Sequence, residues 1–197
     1  AQYLTALYQL AKAAVEKEDY AEAKELLLRA VGEYPHNLGE GKLESGQENN
    51  LYYLLGLVQE KLGEAKDAFE SLTRACCGES EPVGMMYYND QPPEMIYYQG
   101  LAYRMLGEEE QAVRRFQKLV DYGREHIRDD VKIDYFAVSL PDLLIFEENL
   151  NERNRKHCLF MMSLGLKGLG RIDEAEKCAE ELLAMDNAHQ EIRVHDL

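Results

Sequence analysis

The chain has 197 residues, 46% of them hydrophobic, which is enough for one domain with a real core or for a short repeat array and excludes a disordered chain. Its formal charge of −15, from 37 acidic against 22 basic residues, repels phosphate and argues against nucleic acid as a partner. The same charge would favour basic peptides or cations, though solubility alone explains it more simply, and no apolar run approaches the roughly 20 residues needed to cross a bilayer.

Ala1 opens directly on a helical pattern, with no signal peptide and no initiator Met, so the chain reads as an excised piece of a longer protein. The first unit runs Leu7-x2-Leu10-Ala11-x2-Ala14, then KEDYAEA (17–23), then Ala23-x3-Leu27 and Pro35. After it comes PHNLGEGKLESGQ (35–47), with three glycines. The second unit reads Tyr52-x2-Leu55-Gly56, LGEAKDA (62–68) and Ala68-x3-Leu72, and is followed by CCGESEPVGMMYYNDQPP (76–93). The third reads Ile96-x2-Gln99-Gly100-x2-Tyr103, LGEEEQA (106–112) and Ala112-x3-Phe116. A long stretch at about 123–155 separates it from the fourth. That stretch alternates at Val131, Ile133 and Tyr135, then turns apolar over Leu143-Leu144-Ile145-Phe146 after Pro141. So much apolar surface is expected to pack across the array or to form part of a binding site. The fourth unit reads Leu159-x2-Met162-Ser163-x2-Leu166, LGRIDEA (169–175) and Ala175-x3-Ala179.

The alanines closing the recurring motif, Ala23, Ala68, Ala112 and Ala175, are spaced by 45, 44 and 63 residues. These spacings equal a period of about 34 residues plus insertions at the unit junctions. The pattern resembles the tetratricopeptide repeat, whose units follow W-x2-L-G-x2-Y…A-x3-F…P, and the likeness covers roughly 140 residues. It implies an all-α, right-handed superhelix of four helical hairpins forming a single domain over 1–197. The repeats would lie at about 4–37, 49–82, 93–126 and 156–189. Gly63, Gly107 and Gly170 fall where a first helix must stop, a position that favours the left-handed conformation. The first unit places Glu18 there instead. Gly56, Gly100, Ala11 and Ser163 would let paired helices approach, with Ala68, Ala112 and Ala175 facing them from the second helices. The acids after each corner suit a helix N-terminus.

DYGREHIRDDVKIDYFAVSLPDLLIFEENLNERNRKHC, together with YPHNLGEGKL, resembles the C-terminal helical repeat tail of large bacterial proteins with N-terminal mutarotase-like β-sandwich regions. This second likeness implies an accessory module of a protein linked to carbohydrate metabolism.

Motifs for chemistry are few. GLKGLG (165–170) lacks a preceding strand and a following Lys-Ser/Thr, so its glycines read as helix-corner residues rather than a phosphate loop. Neither H-E-x-x-H nor CxxC occurs, and no metal or cofactor site is expected. Cys76, Cys77, Cys158 and Cys178 suit reduced thiols and a cytoplasmic setting. Paired acids such as Asp129-Asp130 and Glu147-Glu148 read as solvated faces in so acidic a chain. Catalysis is therefore not expected.

The tetratricopeptide likeness implies that first helices line a concave groove. The positions facing it would be Tyr8, Tyr53, Tyr97 and Phe160, one ring per unit. One turn further stand Lys12, Leu57, Leu101 and Leu164, and beyond them Val15, Glu60, Arg104 and Lys167. Tyr8, Lys12, Tyr53, Leu57, Tyr97, Arg104, Phe160 and Lys167 are the candidate binding residues. Tyr and Arg are frequent binding hot spots. The rings could equally bury against the large insertion. Of the residues at carboxylate-clamp positions only Lys12 is suitable, which argues against a chaperone-tail clamp. The expected function is a non-catalytic interaction or scaffold module for a protein or peptide partner or for adjoining domains of its own longer chain. The alternative is an accessory domain that positions a sugar, with an oligosaccharide as ligand.

Overall fold

The computed structural model describes residues 2–32, 47–84, 90–131 and 149–195. Nine α-helices lie among them: α1 Gln2–Glu16, α2 Tyr20–Val31, α3 Asn49–Lys61, α4 Ala65–Ala75, α5 Pro93–Met105, α6 Glu109–His126, α7 Leu150–Gly168, α8 Ile172–Met185 and α9 Gln190–Val194. The described residues contain no strand. Helices α1/α2, α3/α4, α5/α6 and α7/α8 form four hairpins, and each second helix also packs on the next first helix. First helices touch in succession, α1 on α3, α3 on α5 and α5 on α7, while second helices make no comparable contact with one another among the described residues. That difference splays the second helices outward and curves the stack into a superhelix with the first helices inside.

The corners follow from local chemistry. Gly63, Gly107 and Gly170 have φ of 78°, 80° and 74°. Glu18 takes the same place in the first hairpin at φ 59°, alone among the described non-glycine residues in being left-handed. At every corner the next amide reaches back five residues. Asp19 N donates to Ala14 O, Glu64 N to Gln59 O, Glu108 N to Tyr103 O and Arg171 N to Leu166 O, each at 2.9 Å. This bond closes the helix end by satisfying a carbonyl that the helix itself leaves open. Asp19 also caps α2, its Oδ1 accepting from Glu22 N at 3.1 Å.

The hairpins close on small residues. Ala23, Ala68, Ala112 and Ala175 are all buried. A Cβ on Gly56 would lie 2.7 Å from Leu72 Cγ, and one on Gly100 would collide with the Phe116 ring. In the fourth unit the reading of GLKGLG needs correction. Gly165 and Gly168 lie inside α7, not at the corner, and only Gly170 is the bend. A Cβ on Gly165 would stand 2.6 Å from Phe116 O, and one on Gly168 would meet the Phe116 ring. Those glycines therefore admit α6 against α7.

Two large apolar cores result, with a small third of Leu72, Ala75 and Ala102 between α4 and α5. One gathers α1, α2 and α3, with Leu7, Ala11, Leu27, Leu54 and Val58. The other gathers α5 to α8, with Ile96, Phe116, Leu119, Leu159, Met161 and Leu182. Helix α5 joins them, because Tyr98 belongs to the first and its neighbour Tyr97 to the second. Consecutive helical residues point in different directions, so one helix serves both cores.

Residues 123–126 are helical in α6 and 150–155 in α7, so the described link between them is shorter than 123–155. Most of that stretch, including Ile133, Tyr135 and 143–146, lies outside the described residues, as does most of 35–47. The second junction is pinned where it is described. Gln99 Nε2 donates to Cys77 O at 3.0 Å and to Glu79 O at 2.8 Å, and His157 Nε2 is 2.8 Å from Val83 O.

Candidate functional site

The four first helices bring the expected aromatic positions to the inner side of the stack. Tyr8, Tyr97 and Phe160 are buried there, at 1%, 3% and 3% exposure, while Tyr53 is half-buried. Three of these rings surround a fourth that the sequence reading passed over. Tyr98 has Tyr8, Tyr53 and Tyr97 at centroid distances of 6.4, 5.5 and 5.6 Å. Phe160 stands apart and packs on His189 at 5.4 Å. The rings thus form a cluster centred on α5 plus one outlier, rather than evenly spaced rungs.

The residues filling the inner side come from the segment after α8. Lys12 Nζ donates to Val194 O at 2.9 Å. The Tyr8 and Tyr98 hydroxyls are 2.6 Å apart, and Tyr98 Oη is 3.0 Å from His195 Nδ1. His195 Nε2 lies 3.9 Å from Glu94 Oε1. Val194 packs on the α1–α3 core and Ile192 on the α5–α8 core. The segment therefore crosses α1, α5 and α7. It borders three cavities of about 230, 290 and 490 Å³. Leu4, Tyr8 and Leu51 line the first, Leu164 and Lys167 the second, and Lys156 and Phe160 the third.

Burial sets the electrostatics of this cluster. It holds the His195 imidazole down at about 4, helped by nearby Lys12, and so keeps the ring neutral at pH 7. Burial raises the Glu94 carboxyl to about 7, with Glu191 pushing the same way. The Tyr8 and Tyr98 phenols are raised by the same desolvation. A neutral imidazole allows two orders: with the proton on Nε2, Tyr8 O–H donates to Tyr98 Oη and Tyr98 O–H to His195 Nδ1; with it on Nδ1, the ring donates to Tyr98 Oη and Tyr98 O–H to Tyr8 Oη.

The other candidates have local duties. Arg104 is exposed. It holds Glu109 through Nε and Nη2 and donates from Nη1 to Gly168 O at 2.8 Å, its guanidinium 5.0 Å from the Phe116 ring centre. It ties the end of α7 to the α5/α6 hairpin. Leu57 is half-buried against the first core, and half-buried Lys167 borders the second cavity.

Sequence reasoning missed Glu94, Tyr98, His189 and His195. The spacing of Glu94 and Tyr98, four apart on one helix face, was a usable signal. His195 offered none, being 97 positions from Tyr98. Burial raises the Cys76 and Cys158 thiols to about 12, and all four cysteines are free. No group of three or more His, Cys, Asp or Glu side chains suited to a metal occurs among the described residues. No described helix is long and apolar enough to cross a membrane.

Tetratricopeptide-repeat family models match residues 8–82 and 94–122. The chain contains tetratricopeptide repeats. The matched stretches take in α1 from Tyr8 onward, α2 to α4, α5 from Glu94 onward and most of α6. The α7/α8 hairpin lies outside them, yet its Gly170 corner has the same left-handed φ and the same five-residue return bond as the others. Among solved structures, the chain is similar to a crystal structure of MamA at 19% identity, covering 95% of this chain and 81% of that one, with a TM-score of 0.33. A tetratricopeptide repeat protein from Parabacteroides merdae ATCC 43184 is similar at 17% identity over 96% of this chain and 69% of that one, with a TM-score of 0.35. Tetratricopeptide repeats in general mediate protein–protein interaction and scaffolding and are typically non-catalytic.

Proposed function

We propose that this protein is a binding module whose inner face takes a peptide segment of a protein partner. One observation carries the reading: the inner face already holds a peptide segment, residues 189–195, through a lysine-to-carbonyl bond, a ring cluster and aliphatic contacts. Those are the generic means by which a helical groove grips a chain. Of the candidate residues, Lys12, Tyr53, Leu57 and Lys167 are the ones a partner would touch. Tyr8, Tyr97 and Phe160 would support them from beneath. A Tyr53→Ala/Tyr97→Ala double variant would be a poor probe of that contact, since Tyr97 packs on Phe116 at 5.7 Å.

The test is selection of peptides from a displayed random library on the unaltered chain. Their affinities are then remeasured on Leu57→Ala and Lys167→Glu, with melting temperature as the folding control. At least ten-fold weaker binding in one of the two is expected. Unchanged affinity in both, with folding intact, overturns the reading.

A further inference from the structure

The seat of His195 is more specific than a greasy groove requires. The ring is enclosed by Tyr8 at 5.9 Å and Tyr98 at 5.5 Å between centroids. A phenol hydroxyl faces Nδ1 and a buried carboxyl faces Nε2. An imidazole offers one acceptor and one donor across a flat ring; the Tyr98 hydroxyl meets one at hydrogen-bond distance and the Glu94 carboxyl stands 3.9 Å from the other. The preceding residue presents its carbonyl to Lys12 and its aliphatic side chain to the α1–α3 core. Ile192, two positions earlier, reaches the other core.

The element that carries these residues is weakly built. Helix α9 has five residues, none of them buried, and so short a helix has little stability of its own. Its attachment to the stack rests on a few side chains. Such a unit opens at far lower cost than the core helices beneath it. The cavities of about 230 and 290 Å³ beside Val194 and Ile192 mean that it fills the groove incompletely. When it leaves, the Tyr98 hydroxyl keeps Tyr8 but loses the imidazole 3.0 Å away, and the Glu94 carboxyl loses the polar ring nitrogen 3.9 Å from it. A replacement ligand with the same ring chemistry is therefore favoured over an aliphatic one.

We propose that Lys12, Tyr8, Tyr98 and Glu94 form a recognition pocket for a histidine preceded by an aliphatic residue, that residues 190–195 are its resident occupant, and that an external peptide of this chemistry displaces them. The inference rests on the groove-binding reading and gives it a ligand motif and a built-in competitor.

The probe is a fluorescein-labelled synthetic peptide, NAHQEIRVHDL, identical to residues 187–197. It is titrated against the full unaltered chain and the full His195→Ala chain. At least ten-fold tighter binding to His195→Ala is expected, and a peptide carrying the same His195→Ala change should lose that binding. Equal binding to both chains overturns the proposal, because no competition then exists. So does absence of binding to both, or binding that ignores the peptide's histidine. A dimer of the unaltered chain by light scattering also overturns it, since a second copy would then supply the occupant. If His195→Ala does not fold, hydrogen exchange on the unaltered chain decides. The His195 amide should exchange at least ten-fold faster than the amides of α5, and equal rates overturn the gate. Library-selected peptides that bind both chains equally but lose affinity on Leu57→Ala would sink this pocket and leave the groove reading standing.

Discussion

Glu18 carries a cost that its three counterparts avoid. A side chain in the left-handed region is strained by roughly 1–2 kcal/mol, part of which glycine gives back through its freer unfolded chain. Glu18→Gly should therefore stabilise the protein by about 0.5–1 kcal/mol. Gly107→Ala should destabilise it by about 1 kcal/mol, although nothing lies within 4 Å of the added methyl. Opposite shifts in melting temperature would confirm that backbone conformation, not packing, decides both. Glu94 makes a second prediction at this scale. Its carboxyl is raised to about 7 in the fold, against an ordinary value of 4.5. The fold thus favours the protonated form. This contribution is fully present below about 4.5 and is lost as pH rises through about 7. His195 runs the other way, since its depressed imidazole contributes stability above 6.5 that is lost as pH falls through about 4. Glu94→Gln removes only the first effect. Its denaturant stability relative to the unaltered chain should improve steadily from pH 5 to about 7 and then level off. A constant offset across that range would mean that the carboxyl stays in contact with water.

Among the helices, α6 and α7 meet through Phe116, Leu119, Val120 and Gly123, of which Phe116 has the largest side chain. Phe116 is fully buried, lies against Gly100 and Gly168, packs on Tyr97 and sits under Arg104. Removing it would leave a cavity bordered by Gly100 and Gly168, which have no side chains to swing into the space. Phe116→Ala should cost about 3–5 kcal/mol. Phe69, on α4, is 62% exposed and has no such role. Phe69→Ala should change stability by less than about 0.5 kcal/mol. Chemical denaturation of the two variants tests the contrast, and similar losses would remove Phe116 from its keystone position. The hairpin partners themselves could be read from the chain, because Gly-x4-Ala spacing at a corner is a local pattern. The packing of α7 on α6 through Gly165 and Gly168 could not. Those glycines look like corner residues until Phe116, some fifty positions away, is placed against them.

Across the whole molecule, curvature sets what the inner face can do. First helices pack side by side and second helices splay, so the inside becomes a trough that a short segment can occupy. The chain's own residues 189–195 occupy it, so on the proposed reading a partner peptide would have to compete with them. The sequence by itself determined the repeat, the corners and the small residues inside each hairpin. Each of these depends on residues within about one repeat of each other, and the 3.6-residue period carries that information directly. Tertiary structure alone decided that the inward rings gather around Tyr98 and that His195 lies between Tyr8, Tyr98 and Glu94. The Tyr8–Tyr98 and Tyr98–His195 meetings join residues 90 and 97 positions apart, and only the superhelical path of the stacked hairpins brings them within hydrogen-bonding reach.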